Sequence, residues 1–155
     1  MLYFAYGANL NLRGMKRRCP QAKPMVAATL QGHRLEFRTF ITIFADAGAS
    51  VSGALYDLTP ACLRALDHYE GESYTQIAVT VETADGPRDA VTYIMPAGTR
   101  APPGVQYFTE IARGYADWKL DVALLRKARI ATLHPEKPKP RLLEAGPRGG
   151  AARPS

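Results

Sequence analysis

Leu2-Tyr3-Phe4-Ala5-Tyr6-Gly7-Ala8-Asn9-Leu10 sets an apolar, aromatic run directly against a glycine and an asparagine. Residues 2–6 read as a buried strand that breaks at Gly7, where the missing side chain permits a tight turn. Asn9 and Asn11 then stand in cap-favouring positions ahead of the polar stretch 12–18, which predicts a short helix ended by Pro20. A strand therefore hands over to a helix N-terminus within a few residues. Downstream, 26–37 alternates loosely around Gly32 as a long bent strand, and 41–44 and 51–58 are β-rich runs separated by a turn-forming stretch at 46–50. Thr59-Pro60 supplies an N-cap and a first-turn proline for a helix over 60–69 that stops at Gly71. Residues 74–82 and 88–95 pair as a hairpin around Asp85-Gly86-Pro87. Apolar residues at Tyr107, Phe108, Ile111, Tyr115, Trp118, Val122 and Leu125 recur at helical spacing and predict one or two helices broken near Gly114. Strands come first and helices last, an order that argues α+β with a curved or barrel-like mixed sheet and against a doubly wound parallel fold.

The chain has 155 residues, 46% of them hydrophobic and 22% charged, enough for one domain. Its net charge of +6 is local: residues 1–125 hold 12 basic and 12 acidic side chains, whereas 126–155 hold 8 basic and 2 acidic. A basic surface that reads nucleic acid needs its charges organised on a folded face, so this distribution disfavours a nucleic-acid site. From residue 134 on, prolines, glycines and basic residues cannot build a core, which divides the chain into a domain at 1–133 and a disordered tail at 134–155. Cys19 and Cys62 form no CxxC, and His33, His68 and His134 have no ligand spacing, so neither a zinc site nor a disulfide framework has support. Neither a signal segment nor a membrane span is legible, which reads as a cytoplasmic protein. Oligomeric state is not encoded in any pattern here.

Two stretches could carry chemistry. The turn at Tyr6, Gly7, Ala8, Asn9 and Leu10 leaves backbone N–H groups at a helix start that can hold a carboxylate or an oxyanion, although the same residues also make an ordinary strand-to-helix turn. It has no GxGxxG or GxxxxGK[ST] pattern, which removes nucleotide binding. The string Leu66-Asp67-His68-Tyr69-Glu70-Gly71-Glu72-Ser73-Tyr74 places carboxylates beside aromatics at a helix end. A partly desolvated Glu70 there would have a raised pKa suited to moving protons; the plainer reading is a solvated acidic face. Tyr3, Phe4, Tyr56, Tyr93 and Trp118 read as core, Cys19 and Cys62 as small apolar fillers, and Arg13, Arg17 and Arg38 as solvated surface.

Taken together, the opening Tyr3-Phe4-Ala5-Tyr6-Gly7-Ala8-Asn9-Leu10, Met15 with Arg18-Cys19-Pro20, Gly53-Ala54-Leu55-Tyr56, Leu66-Asp67-His68-Tyr69-Glu70-Gly71 with Tyr74, and Ala90-Val91-Thr92-Tyr93 resemble the γ-glutamylcyclotransferase-like family, which includes AIG2-like and BtrG-like proteins. The resemblance spans residues 1–118 and leaves the basic tail uncovered. It implies a small mixed β-barrel with flanking helices and an enzyme that needs no cofactor. The implied substrate is a small γ-glutamyl compound whose α-amine attacks its own γ-carbonyl, releasing 5-oxoproline and an amine. Glu70 matches the family's catalytic Glu and would be the general base and acid. Gly7, Ala8, Asn9 and Leu10 would supply N–H groups to the substrate, with Tyr6 and Tyr107 as walls or hydrogen-bonding groups. Ala8 departs from the serine most often found there, which removes one hydroxyl and leaves the backbone donors. The alternatives are a non-catalytic module that binds a γ-glutamyl or other carboxylate ligand, and docking of the basic tail on nucleic acid or an acidic protein partner.

Overall fold

The computed structural model describes residues 1–134. Strands β1 (Leu2–Ala5), β2 (Lys23–Arg38), β3 (Phe40–Asp57), β4 (Thr75–Thr83) and β5 (Gly86–Ile94) close into a barrel in the order β1-β3-β2-β4-β5. Among the described residues four α-helices flank it: α1 (Leu12–Arg18), α2 (Pro60–Glu70), α3 (Val105–Asp117) and α4 (Ala123–Ala131). The α+β barrel expected from the sequence is the architecture found. The expected tail at 134–155 lies, His134 apart, outside the described residues, and three basic residues of the C-terminal excess, Arg126, Lys127 and Arg129, sit on α4.

β1 is apolar on both faces because both are covered. Phe4 and Ala5 are fully buried, and the strand runs antiparallel to β3 (Tyr3↔Tyr56) and parallel to β5 (Tyr3↔Val91), closing the barrel. Thr92 of β5 donates its hydroxyl to Phe4 O at 2.7 Å, tying the seam from inside. Gly53 lets β1 approach β3, since a Cβ there would lie 2.3 Å from Ala5 O.

Three local expectations are corrected. The stretch 46–50 does not separate two strands: β3 runs through it, and its extra residues bulge opposite Gly32, where the pairing jumps from Gln31↔Ser50 to His33↔Ala45. Its glycine and polar residues bend one long strand around the barrel and end no strand. Helix α3 continues through Gly114, and the chain breaks only at 118–122. The β4–β5 loop is Ala84 and Asp85, with Gly86 and Pro87 already in β5.

Thr59 caps α2 by accepting the Cys62 N–H at 3.1 Å, with Pro60 in the first turn. Thr59→Ala is expected to cost about 1 kcal/mol of stability, measured by urea unfolding; an unchanged midpoint would show the cap contributes nothing. This helix ends at Glu70, so its start and its phase set where that carboxyl goes.

Candidate active site

Five pieces of chain meet at one end of the barrel around a cavity of about 300 Å³. The β1–α1 connection contributes Tyr6, Gly7, Ala8 and Asn9; the end of α2 and its exit contribute Tyr69, Glu70, Ser73 and Tyr74; the β2–β3 tip contributes Phe40 and Ile41; β5 and α3 contribute Tyr93 and Tyr107. A tight tip makes this possible: Thr39 is the only residue between β2 and β3, with φ of 66°, and its N–H donates to Ala101 O at 3.1 Å.

Gly7 belongs to the turn for a steric reason, since a Cβ there would sit 2.5 Å from Ile41 Cγ2 across the cavity wall. After it, Ala8–Leu10 forms one 3-10 turn, with Leu10 N–H bonded to Gly7 O at 3.0 Å and Asn11 N–H to Ala8 O at 3.1 Å. The N–H groups of Gly7, Ala8 and Asn9 make no hydrogen bond among the described residues, and all three residues line the cavity. Leu10 is different from its neighbours: its N–H is taken, its side chain is fully buried, and it does not line the cavity. Its carbonyl accepts from Trp118 Nε1 at 2.9 Å, so Leu10 anchors the turn.

Glu70 lies at the C-terminal end of α2, half-buried in the cavity wall. Burial pushes its carboxyl up to about 7, with the Arg18 charge working in the opposite direction. Asn9 Nδ2 lies 3.4 Å from Glu70 Oε1 and 3.0 Å from Tyr3 Oη. The phenols around it are spoken for. Tyr6 donates to Tyr93 O, Tyr93 donates to the Asp67 carboxylate, Tyr74 donates to Ile41 O at 2.7 Å, and Tyr107 accepts the Ile41 N–H at 3.1 Å. Burial raises the pKa of each of these four, so they remain neutral hydrogen-bonding walls.

The site thus combines a protonatable carboxyl with unpaired backbone donors in a space walled by aromatic rings. A larger groove of about 1120 Å³ runs between α1 and α3 and is lined by Arg13 and Arg17 of α1 and by Glu110, Arg113 and Asp117 of α3. Those three arginines are solvated and no buried titratable group faces them, so the chemistry belongs to the smaller cavity. Among the described residues no group of three or more His, Cys, Asp or Glu is arranged to hold a metal ion.

A family model described as gamma-glutamyl cyclotransferase, AIG2-like, matches residues 3–119. The chain belongs to that family. The human gamma-glutamylcyclotransferase is 33% identical over 129 residues, covering 73% of this chain and 69% of the relative. The mouse protein of the same name is 32% identical with the same coverage. A solved gamma-glutamyl cyclotransferase structure has a TM-score of 0.72 at 29% identity and covers 88% of each chain. The expected family and barrel are therefore those found, and the chain is a gamma-glutamylcyclotransferase-like enzyme. No helix of the described residues is long and apolar enough to cross a membrane.

Within this cyclotransferase-like barrel the structure brings Tyr6, Gly7, Ala8, Asn9, Glu70 and Tyr107 to one cavity and leaves Leu10 behind it. Sequence reasoning places Tyr69, Ser73 and Tyr74 in the candidate stretch around Glu70 without giving them a role, and assigns no cavity role to Phe40, Ile41 or Tyr93. Tyr93 had read as core and is both, 4% exposed and on the wall. Arg38 is not a solvated surface residue: it pairs with Glu36 at 3.3 Å and lies 4.1 Å over the Phe44 ring.

Proposed function

We propose that the cavity binds the γ-glutamyl group of a small compound and converts it to 5-oxoproline with release of an amine, as its family membership suggests. The observation that carries this reading is Glu70, a carboxyl with a pKa raised to about 7 in the same cavity as three unpaired backbone N–H groups. The substrate's α-nitrogen forms a C–N bond to its own γ-carbonyl carbon, and the bond from that carbon to the leaving nitrogen breaks. Protons lost by the α-ammonium as it becomes a lactam N–H are those gained by the departing amine, so the reaction needs a carrier and consumes no water. Glu70 is that carrier, first as carboxylate base and then as carboxylic acid, a task that favours a pKa near the working pH. The N–H groups of Gly7, Ala8 and Asn9 hold the α-carboxylate or the oxygen that becomes negative as the ring closes. Because nucleophile and electrophile belong to one molecule, holding the folded conformer supplies much of the acceleration.

The test is mass-spectrometric detection of 5-oxoproline from a panel of γ-glutamyl amino acids, γ-glutamyl amines and glutathione. Release from at least one member by the wild-type protein, absent in Glu70→Gln, is the expected result. Ligand binding without release from any member would instead assign the cavity to carboxylate binding alone.

A further inference from the structure

We propose that Arg18 is the positioning residue of this site, holding the turn that carries Ala8 and Asn9 in register with Glu70 through the Asn9 side chain. Arg18 ends α1, and its side chain is only 19% exposed. Its guanidinium reaches four groups: Nε to Asn9 Oδ1 at 2.9 Å, one terminal nitrogen to Ala8 O at 3.2 Å, the other to Glu110 Oε1 at 3.4 Å, with the central carbon 4.7 Å over the Tyr69 ring. A guanidinium has donors and no acceptor, so the Asn9 amide must turn its oxygen to Arg18. Its nitrogen then faces Tyr3 Oη and Glu70 Oε1, which places a donor where the carboxylate needs one. The bond to Ala8 O meanwhile fixes the 3-10 turn whose residues Ala8 and Asn9 line the cavity. One side chain outside the cavity lining thereby sets the relative placement of the anion cradle and the proton carrier.

Glu70 is surrounded by the phenols of Tyr3, Tyr6, Tyr69, Tyr74, Tyr93 and Tyr107, all raised above their ordinary range and neutral. Arg18 is the charge whose pull on Glu70 opposes the effect of burial. Arg18 therefore acts in two separable ways, through its charge and through its fork. Lysine keeps the first and loses the second, because an ammonium is a point charge and cannot bridge Asn9 and Ala8 with fixed geometry.

Arg18→Met and Arg18→Lys test this, with the Glu70 carboxyl titrated by 13C NMR in the substrate-free protein and kcat measured from 5-oxoproline release. In Arg18→Met the Glu70 midpoint is expected to move to higher pH and kcat to fall about 100-fold. In Arg18→Lys the midpoint is expected to stay nearer that of the wild type while kcat still falls at least about tenfold, which a role in charge alone would not produce. Wild-type kcat in Arg18→Lys overturns the proposal, as does an unmoved Glu70 midpoint in Arg18→Met. If Arg18→Met fails to fold, the Arg18→Lys rate decides. The kinetic half rests on Glu70 as proton carrier. Turnover surviving in Glu70→Gln would remove that reading, whereas the titration, which needs no substrate, would still report on Arg18.

Discussion

Glu70→Gln is expected to lower kcat by a factor of about 10² to 10⁴, the range that a positioned proton carrier contributes, with substrate affinity changed far less. Glutamine keeps the shape and hydrogen-bonding reach of the side chain and cannot take or return a proton. In the wild-type enzyme kcat/KM should rise with pH through about 7, because the ring-closing step needs the ionised carboxylate and burial delays that ionisation. The same substitution should stabilise the fold, in a pH-dependent way. Glu70 holds its proton in the folded protein up to about pH 7, against 4.5 when unperturbed, so between those values the folded state binds more protons than the unfolded one. Stability of the wild type therefore declines as pH rises through that window. Glutamine has no proton to lose, and its advantage should grow from near zero at pH 4 to roughly 1–3 kcal/mol at pH 8. Urea unfolding of both proteins at the two pH values reads this difference. Equal stabilities at pH 8 would mean that the carboxyl is not desolvated, which would remove the reason for its raised pKa.

That opposition between activity and stability also explains which parts of the molecule the sequence makes legible. The strand before Gly7, the Thr59-Pro60 cap and the stop at Gly71 are local signals, each written within a few residues, and each marks the element that positions one half of the site. Glu70 could be singled out as a candidate because its neighbours Tyr69 and Tyr74 are adjacent in sequence. The remaining wall is assembled across long separations and leaves no such mark. Phe40 reaches the cavity only because Thr39 takes a left-handed conformation, and nothing in the run 37–42 advertises that turn. Gly48 and its neighbours carry the composition of a turn, yet the partner strand supplies enough pairing on both sides to hold them as a bulge. Arg18 sits in a basic triplet with Lys16 and Arg17, and composition cannot tell the one that folds inward from the two that remain exposed.

Gly114 shows how far such a signal can mislead, and its replacement is expected to have the second large effect. A glycine inside a helical pattern predicts a break, but here the helix continues and the glycine exists for contact. A Cβ at this position would lie 2.6 Å from Leu10 Cβ, 2.7 Å from Asn11 N and 2.8 Å from the Leu10 carbonyl carbon. These are not ends of flexible side chains. Leu10 is fully buried, its carbonyl is bonded to Trp118, and Asn11 caps α1 by accepting Gly14 N–H at 3.0 Å. In Gly114→Ala the helix gains about 1 kcal/mol of propensity, while overpacking costs about 1–3 kcal/mol, so the net loss of stability should be modest, about 0–2 kcal/mol. The strain is relieved by moving the 3-10 turn, and that turn carries Ala8 and Asn9, which line the same cavity as Glu70. A displacement approaching 1 Å, the shift that opens a 2.6 Å contact to ordinary van der Waals distance, in a site that works by alignment is expected to reduce kcat on the order of 100-fold. The signature is therefore a rate loss much larger than the loss of folded protein, read from kcat and the urea midpoint on the same preparation. Full activity in Gly114→Ala would show that the turn tolerates displacement, and the cradle would then owe nothing to close packing of α3 against it.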